Sequence, residues 1–170
     1  MLKKYMGNTK HSNKNNNSSI KYTSKTPNKW TMWAHLPHDT NWTLESYKNI
    51  YTISNIGEGI SLIESMSDTL VKNCMLFLMK EGITPVWEDQ ANREGGCFSY
   101  KVLNKNVYQS WKDLCYIILG GSISCDNKFV DSVNGITISP KKNFCIIKIW
   151  LSNCNHQNPN IITKSLTEIN

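Results

Sequence analysis

The chain has 170 residues, which suits one domain with a tail. Of these, 39% are hydrophobic, as in a soluble globular protein with one core. The net charge is +6, but the first 29 residues carry seven lysines and no acid, which leaves −1 for residues 30–170. A charge this close to zero excludes nonspecific electrostatic binding of nucleic acid by the domain. Any RNA recognition must therefore come from a compact site.

Targeting and metal-site signals are missing from the sequence. No apolar run reaches the ~20 residues of a membrane span, and the N-terminus shows no apolar region typical of a secretory signal. The six cysteines form no Cys-x-x-Cys pair, so we expect reduced thiols. His35 and His38 are three residues apart without a matching Cys or His pair. We therefore expect neither a metal nor a cofactor.

Composition divides the chain into three parts. Residues 1–28 are rich in Asn, Lys and Ser and bury too little apolar area to offset chain entropy, which predicts a disordered tail. A folded domain is predicted at residues 29–151, followed by a polar segment at residues 152–170. Asn and Lys are abundant and Arg93 is the only arginine, a bias that favours an A/T-rich source such as a large DNA virus or an intracellular parasite.

The first half of the domain is predicted to alternate between strands and a helix. Apolar alternation predicts a strand at residues 30–36, with Trp33 on the face opposite the other apolar residues, and aromatic and β-branched residues predict another strand at 47–53. Asn55 and Glu58 form a capping-box pattern, which starts a helix that we expect to reach about residue 66.

The second half supplies the remaining strands and the clearest helix. Apolar runs predict strands at residues 74–79 and 97–103. Residues 105–119 carry one apolar stripe that includes Trp111, which predicts a helix with Trp111 in the core. A hairpin is predicted at residues 135–150, with a Pro-Lys-Lys-Asn turn. This order indicates an α+β fold, with an antiparallel sheet and helices packed on one face.

Two tryptophans, Trp42 and Trp87, fall in predicted loops outside any apolar stripe, and Glu88 directly follows Trp87. An exposed tryptophan beside a carboxylate is unusual, and it indicates a binding site.

Motifs along the domain resemble those of the eukaryotic translation initiation factor 4E family. They are Lys-Trp-Thr-Met-Trp at 29–33, Asn41-Trp42, Gly-Ile-Thr-Pro-Val-Trp-Glu-Asp at 82–89, Asn92, Gly95-Gly96, Trp-Lys-Asp-Leu at 111–114, Gly135 and Ile149-Trp150. The resemblance extends from Trp30 to Trp150, and the run at 82–89 with the glycine pair after it is its most specific part.

The resemblance implies a curved antiparallel sheet with helices on the convex face and a slot for the 7-methylguanosine cap of mRNA on the concave face. It implies that the base stacks between Trp42 and Trp87, that Glu88 accepts hydrogen bonds from the base edge, that the Trp87 N–H donates to the guanine O6, and that Trp150 contacts the methyl group. Stacking contributes ~1–3 kcal/mol per face, and the cationic methylated ring adds ~0.5–2 kcal/mol of cation–π attraction. Asp89 and Asn92 are expected to brace the loop.

The cap phosphates need cations, and here the chain departs from the family. Many family members have an arginine after the glycine pair, where this chain has Cys97. The family's hairpin arginine aligns with Lys141, and its later lysine aligns with Ile146. We predict phosphate contacts from Lys141, Lys142 and Lys148, of which Lys148 shares a strand face with Trp150. Fewer cations predict weaker triphosphate affinity and a shallower salt dependence.

Partner binding is also implied by the resemblance. The family docks scaffold factor 4G and repressors on a helix through a tryptophan that aligns with Ile60. We therefore expect a scaffold resembling factor 4G at the helix around Ile60, with altered complementarity. The family continues beyond Trp150 with a helix and further strands, so residues 152–170 read as a truncated end that leaves a sheet edge open or covered by a partner.

These observations favour a cytoplasmic, non-enzymatic cap-binding protein that promotes translation initiation. Three alternatives stay open: a repressor that occupies caps without recruiting the ribosome, a general single-stranded RNA binder, and an enzyme that pairs Cys97 with His35 or His38. The near-neutral domain and the Trp-Glu pair weigh against general RNA binding, and nothing in the spacing supports the enzyme.

Overall fold

One antiparallel sheet organises the part of the chain that the computed structural model describes, residues 24–162. The strands are β1 Lys25–His35, β2 Tyr47–Asn55, β3 Met75–Lys80, β4 Gly96–Leu103, β5 Val133–Pro140 and β6 Phe144–Leu151. The α-helices in this range are α1 Ile56–Glu64, α2 Asp68–Asn73, α3 Val107–Leu119 and α4 Asn127–Ser132. The strand order β2-β1-β3-β5-β6-β4 confirms the predicted α+β class with an antiparallel sheet.

Alternation of side chains gives the sheet two different faces. On β3, Leu76 and Leu78 pack into the large core that contains the helices, while Phe77 and Met79 belong to a second cluster on the other face. Trp33 also packs against this second cluster, as its predicted position opposite the other apolar residues of β1 requires. The helices therefore cover one face, and the second face carries a smaller aromatic cluster that includes Trp150.

The helix predictions from capping and periodicity are confirmed. At the start of α1, the Glu58 N–H donates to the Asn55 Oδ1 over 2.9 Å, and the Glu58 carboxylate accepts from the Ser54 N–H over 2.7 Å. In α3 the apolar stripe faces the core, and Trp111 is fully buried. No helix among the described residues is long and apolar enough to span a membrane.

Several predicted boundaries are wrong. β1 starts at Lys25, so residues 25–28 belong to the sheet and not to a tail; the rest of the predicted tail, residues 1–23, lies outside the described range. Leu36 lies beyond the strand and is exposed. The segment after residue 151 is not only polar, because Ile162 packs into the helix-side core. Residues 163–170 lie outside the described range.

The short helices α2 and α4 were missed by sequence analysis. Each has six residues, which is too short to show a helical period. Their signals are their caps: the Leu70 N–H donates to the Ser67 Oγ over 3.1 Å, and the Lys128 N–H donates to the Asp126 Oδ1 over 2.8 Å.

Gly95 and Gly96 provide a matched test of packing. A methyl group on Gly95 would overlap the Leu151 carbonyl oxygen, whereas one on Gly96 would meet the Cys154 Sγ at an ordinary 3.5 Å. We expect Gly95→Ala to lower the free energy of unfolding by about 1–3 kcal/mol because backbone must move. Gly96→Ala serves as the control and should change it by under about 1 kcal/mol. Urea unfolding of both variants measures the difference. Equal effects would show that the close approach of Gly95 to the Leu151 carbonyl does not exclude a side chain there.

Candidate functional site

A cavity of about 280 Å³, called the slot below, opens on the sheet face opposite the helices. This volume is near the lower end of the ~300–1,000 Å³ typical of ligand pockets, so the slot fits one small flat group. The slot residues come from two loops and from strands β2, β3, β5 and β6: Trp42, Tyr47, Met75, Phe77, Pro85, Val86, Trp87, Glu88, Thr137, Ser139, Lys148 and Trp150. Five of the eight residues predicted for ligand or partner binding are thus brought together.

Trp42 forms one wall of the slot from the loop between β1 and β2. Its side chain is 60% exposed. One face of its indole lies parallel to the His35 imidazole, with ring centroids 4.2 Å apart and an interplanar angle of 3°. The opposite face is left for contact with a flat ligand.

Trp87 lies in the loop between β3 and β4 and is 39% exposed. It stacks on Trp150, with ring centroids 4.0 Å apart and an interplanar angle of 16°. The Lys148 ammonium lies over the Trp87 ring, 5.6 Å from its centroid. Trp87 therefore has an aromatic ring behind it and a cation held against its π-system.

Trp150 is 3% exposed, and its Nε1–H donates to the Thr137 Oγ1 over 2.7 Å. Its ring face is covered by Trp87. In this conformation Trp150 supports Trp87, and the predicted contact with a methyl group would require Trp87 to move off the Trp150 ring.

The loop that carries Trp87 and Glu88 is braced by its own side chains. The Asp89 carboxylate accepts hydrogen bonds from the Thr84 N–H and Oγ1–H, at 2.8 and 2.6 Å, and from the Ala91 N–H at 2.9 Å. The Asn92 amide donates to the carbonyls of Thr84 and Val86, at 3.0 and 2.9 Å. The predicted bracing role of Asp89 and Asn92 is confirmed.

Asn134 of β5 ties this loop to the sheet and was missed by sequence analysis. Its amide donates to the Ala91 carbonyl over 2.7 Å and to the Asn92 Oδ1 over 3.0 Å. Asn134 is 4% exposed. The only sequence signal is a polar residue at the buried start of an apolar strand, and such a group needs a partner that a sequence does not name.

Tyr47 was predicted only as a strand residue, yet it lines the slot beside Glu88. Burial raises the pKa of the Tyr47 phenol, and the negative charge of Glu88 raises it further. The slot therefore combines aromatic surfaces with one carboxylate, which suits a flat ligand that carries positive charge or hydrogen-bond donors.

Three predicted residues lie away from the slot walls. Lys141 and Lys142 occupy the exposed turn between β5 and β6. Ile60 is on α1, on the helix side of the sheet, where it lines an apolar groove with Ile56, Tyr116 and Leu119.

A Cys97–His35 pair is not formed. Cys97 is on β4 and His35 on β1, and three strands separate them, which is roughly 19 Å at the usual strand spacing. Among residues 24–162, no group of three or more His, Cys, Asp or Glu side chains is arranged to hold a metal ion.

The family model described as eukaryotic initiation factor 4E matches residues 25–169. The chain belongs to this family. Among curated relatives, it is 27% identical over 136 residues to a eukaryotic translation initiation factor 4E homolog of Acanthamoeba polyphaga mimivirus, covering 68% of this chain and 50% of the relative. It is 25% identical over 164 residues to eukaryotic translation initiation factor 4E of Candida albicans, covering 89% and 77%. The chain thus spans about half the length of the mimivirus relative.

Solved structures of family members share the fold. Schistosome eIF4E complexed with m7GpppG and 4E-BP aligns with a TM-score of 0.71 and 20% identity, covering 79% of this chain and 75% of that one. Ascaris suum eIF4E-3 with an m2,2,7G cap aligns with a TM-score of 0.68 and 18% identity, covering 78% and 76%.

The stability that the Asp89 hydrogen bonds give to the loop should depend on pH. Burial acts to raise the pKa of Asp89, but the hydrogen bonds from Thr84 and Ala91 outweigh it and hold the pKa below its usual value. The stabilisation is present above the unfolded-state pKa and is lost as pH falls through the folded-state pKa. We expect Asp89→Asn to destabilise the domain by about 1 kcal/mol at pH 7.

Urea unfolding between pH 7 and about pH 3 should show the gap between wild type and Asp89→Asn closing as the carboxylate protonates. Glu94 is an exposed carboxylate of the same loop, so Glu94→Gln is the matched control. Its free energy of unfolding should differ little from that of the wild type at any pH. A gap that stays constant on acidification would contradict the assigned role of the charge.

Proposed function

We propose that the protein binds the 7-methylguanosine cap of mRNA in the slot and acts in the cytoplasm in translation initiation, without catalysing a reaction. The observation that carries this proposal is the meeting of Trp42, Trp87 and Glu88 in one cavity on the open face of a 4E-family sheet. Relatives named as initiation factor 4E, and a fold shared with family members complexed with cap analogues, support it.

The chemistry of the slot favours a methylated purine. Each indole contributes stacking of ~1–3 kcal/mol. Methylation at N7 makes guanine cationic, which adds cation–π attraction of ~0.5–2 kcal/mol. The Lys148 ammonium against Trp87 is an instance of the same attraction within the protein. Unmethylated guanine retains the stacking and loses the charge contribution.

Glu88 supplies the selectivity for guanine in this proposal. Its carboxylate would accept from the N1–H and the exocyclic amine of guanine, a two-point, charge-assisted contact that adenine does not offer. The Trp87 N–H would donate to the guanine O6.

The phosphates would extend toward the lysines. Lys148 is part of the slot wall and is the first candidate, and its ammonium would leave Trp87 for a phosphate oxygen when the base takes its place. Lys141 and Lys142 lie in the adjoining β5–β6 turn and would reach phosphates farther from the base.

A partner would dock on the helix side of the sheet. Two of the solved family members are complexes with a 4E-BP and with the 4E-binding protein Mextli. We propose that the apolar groove around Ile60 receives an apolar segment of a scaffold protein resembling factor 4G. The same groove keeps the repressor alternative open, because the partner that occupies it decides whether a bound cap leads to initiation.

The decisive measurement is the affinity for 7-methyl-GTP and GTP, followed by quenching of tryptophan fluorescence. We expect GTP to bind about 2- to 30-fold more weakly, from the lost cation–π attraction. Trp42→Ala and Trp87→Ala should each weaken 7-methyl-GTP binding about 5- to 150-fold. Glu88→Gln should weaken it about 10-fold or more.

Tyr51→Ala removes an exposed aromatic ring that lines a different cavity and is the matched control; it should leave both affinities unchanged. Equal binding of 7-methyl-GTP and GTP by the wild type would refute cap recognition and favour the general RNA-binding alternative.

The phosphate role of Lys148 is tested by comparing nucleotide and nucleoside. We expect Lys148→Gln to weaken binding of 7-methyl-GTP while sparing 7-methylguanosine, and to reduce the slope of log affinity against log salt by about 0.7–1. Lys128→Gln on α4 is the charge-matched control. If Lys148→Gln weakens nucleoside and nucleotide equally, Lys148 contacts the base and not the phosphates.

A further inference from the structure

His35 lies at the end of β1, is 3% exposed, and sits directly behind Trp42. We propose that His35 is the positioning residue of the slot: it sets the plane and place of Trp42 so that the outer indole face is ready for the base. The link to affinity rests on the proposed function. His35 does not line the slot itself, so its effect passes through Trp42.

The first contact is the ring stack. An indole that is 60% exposed on a loop has several rotamers available in solution. The 3° angle and 4.2 Å separation from the His35 ring select one of them. The His35 ring, which belongs to strand β1, therefore fixes the orientation of the Trp42 indole.

The second contact fixes the backbone beside Trp42. The His35 Nε2 is 2.8 Å from the Asn41 carbonyl oxygen, and because a carbonyl only accepts, Nε2 carries the proton and donates it. This carbonyl belongs to the peptide that joins Asn41 to Trp42. The Asn41 N–H donates to the Asp39 Oδ1, and the Thr43 N–H donates to the Asn41 Oδ1, each over 2.9 Å.

The His35 ring is itself held from the side and below. Tyr47 packs against it edge-on, with centroids 5.1 Å apart, and Phe77 packs against Tyr47 at 5.4 Å. The His35 backbone is paired with Tyr47 on β2 and with Met75 on β3. Because the His35 backbone is held between β2 and β3, its ring is a fixed support for the exposed Trp42 side chain.

Histidine is suited to this position because it combines two properties. Phenylalanine would stack on the indole without donating to the Asn41 carbonyl, and glutamine would donate without stacking. The two contributions can therefore be separated by substitution.

The experiment uses the full chain and the variants His35→Ala, His35→Phe and His35→Gln. Each is made with and without Trp42→Phe, so that the difference isolates the fluorescence of Trp42. We expect His35→Ala to increase acrylamide quenching of Trp42 and to raise the Kd for 7-methyl-GTP about 5- to 12-fold, from the cost of ordering a free side chain on binding. His35→Phe should recover most of both properties, leaving a loss of about 2-fold, and His35→Gln should recover less than His35→Phe.

His38→Asn is the matched control, because it removes an exposed imidazole from the same loop and keeps a residue that tolerates the positive φ of 67° found there. It should change neither quenching nor Kd.

Quenching of Trp42 is measured without nucleotide, so it tests the positioning role even if the wild type fails to prefer 7-methyl-GTP over GTP, which would end the proposed function alone. If His35→Ala does not fold, the comparison of His35→Phe with His35→Gln carries the test. Unchanged Trp42 quenching in the folded variants, or equal quenching and Kd for the Phe and Gln variants, would overturn the proposal.

Discussion

The slot depends on aromatic rings of the sheet that stand behind its two tryptophans. Trp42 lies against His35 and Trp87 lies against Trp150, at centroid distances of 4.2 and 4.0 Å. Both supporting rings are 3% exposed. An indole on a loop is free to turn, and binding a ligand with it would require ordering it first. Stacking each indole on a buried ring moves that cost from binding to folding.

This support is available because the sheet separates its faces so cleanly. Alternation along β3 and β6 sends Leu76, Leu78, Ile147 and Ile149 to the helices. The intervening positions, with Phe77 and Trp150 among them, form the aromatic floor of the slot. A shift of one residue in the register of either strand would exchange the two sets, so packing of the helix-side core also fixes the aromatic floor. The two-residue alternation of side chains along each strand therefore couples the packing of the helix-side core to the placement of the slot's aromatic residues.

Much of this could be predicted from the sequence, because it is encoded locally. The strand alternation, the Asn55 cap and the apolar stripe of α3 each lie within about a dozen residues, and the motif around Trp87 marked the slot. Two contacts could not be predicted. Asn134 closes a loop 42 residues away in sequence, and no local pattern names its partner. His35 and Trp42 are only seven residues apart, but they are joined by an irregular loop whose conformation no periodic pattern predicts. From sequence alone, a histidine suggests a metal ligand or a catalytic base, whereas the role of the His35 ring here depends on its stacking against Trp42.

The charge pattern of the domain fits recognition through this one site. With a net charge of −1 over residues 30–170, the domain has no broad attraction for a phosphate backbone. Within the slot, however, the Glu88 carboxylate and the Lys148 ammonium line the same cavity. In the proposed complex, Glu88 would accept hydrogen bonds from the donors of a base edge, and Lys148 would bind a phosphate. A ligand that carries only one of these features gains only one of the two attractions and still desolvates the other charge. In the proposed complex, the presence of an acid and a base in one aromatic slot would therefore favour a molecule that joins a cationic purine to phosphate over unmodified RNA or a free purine.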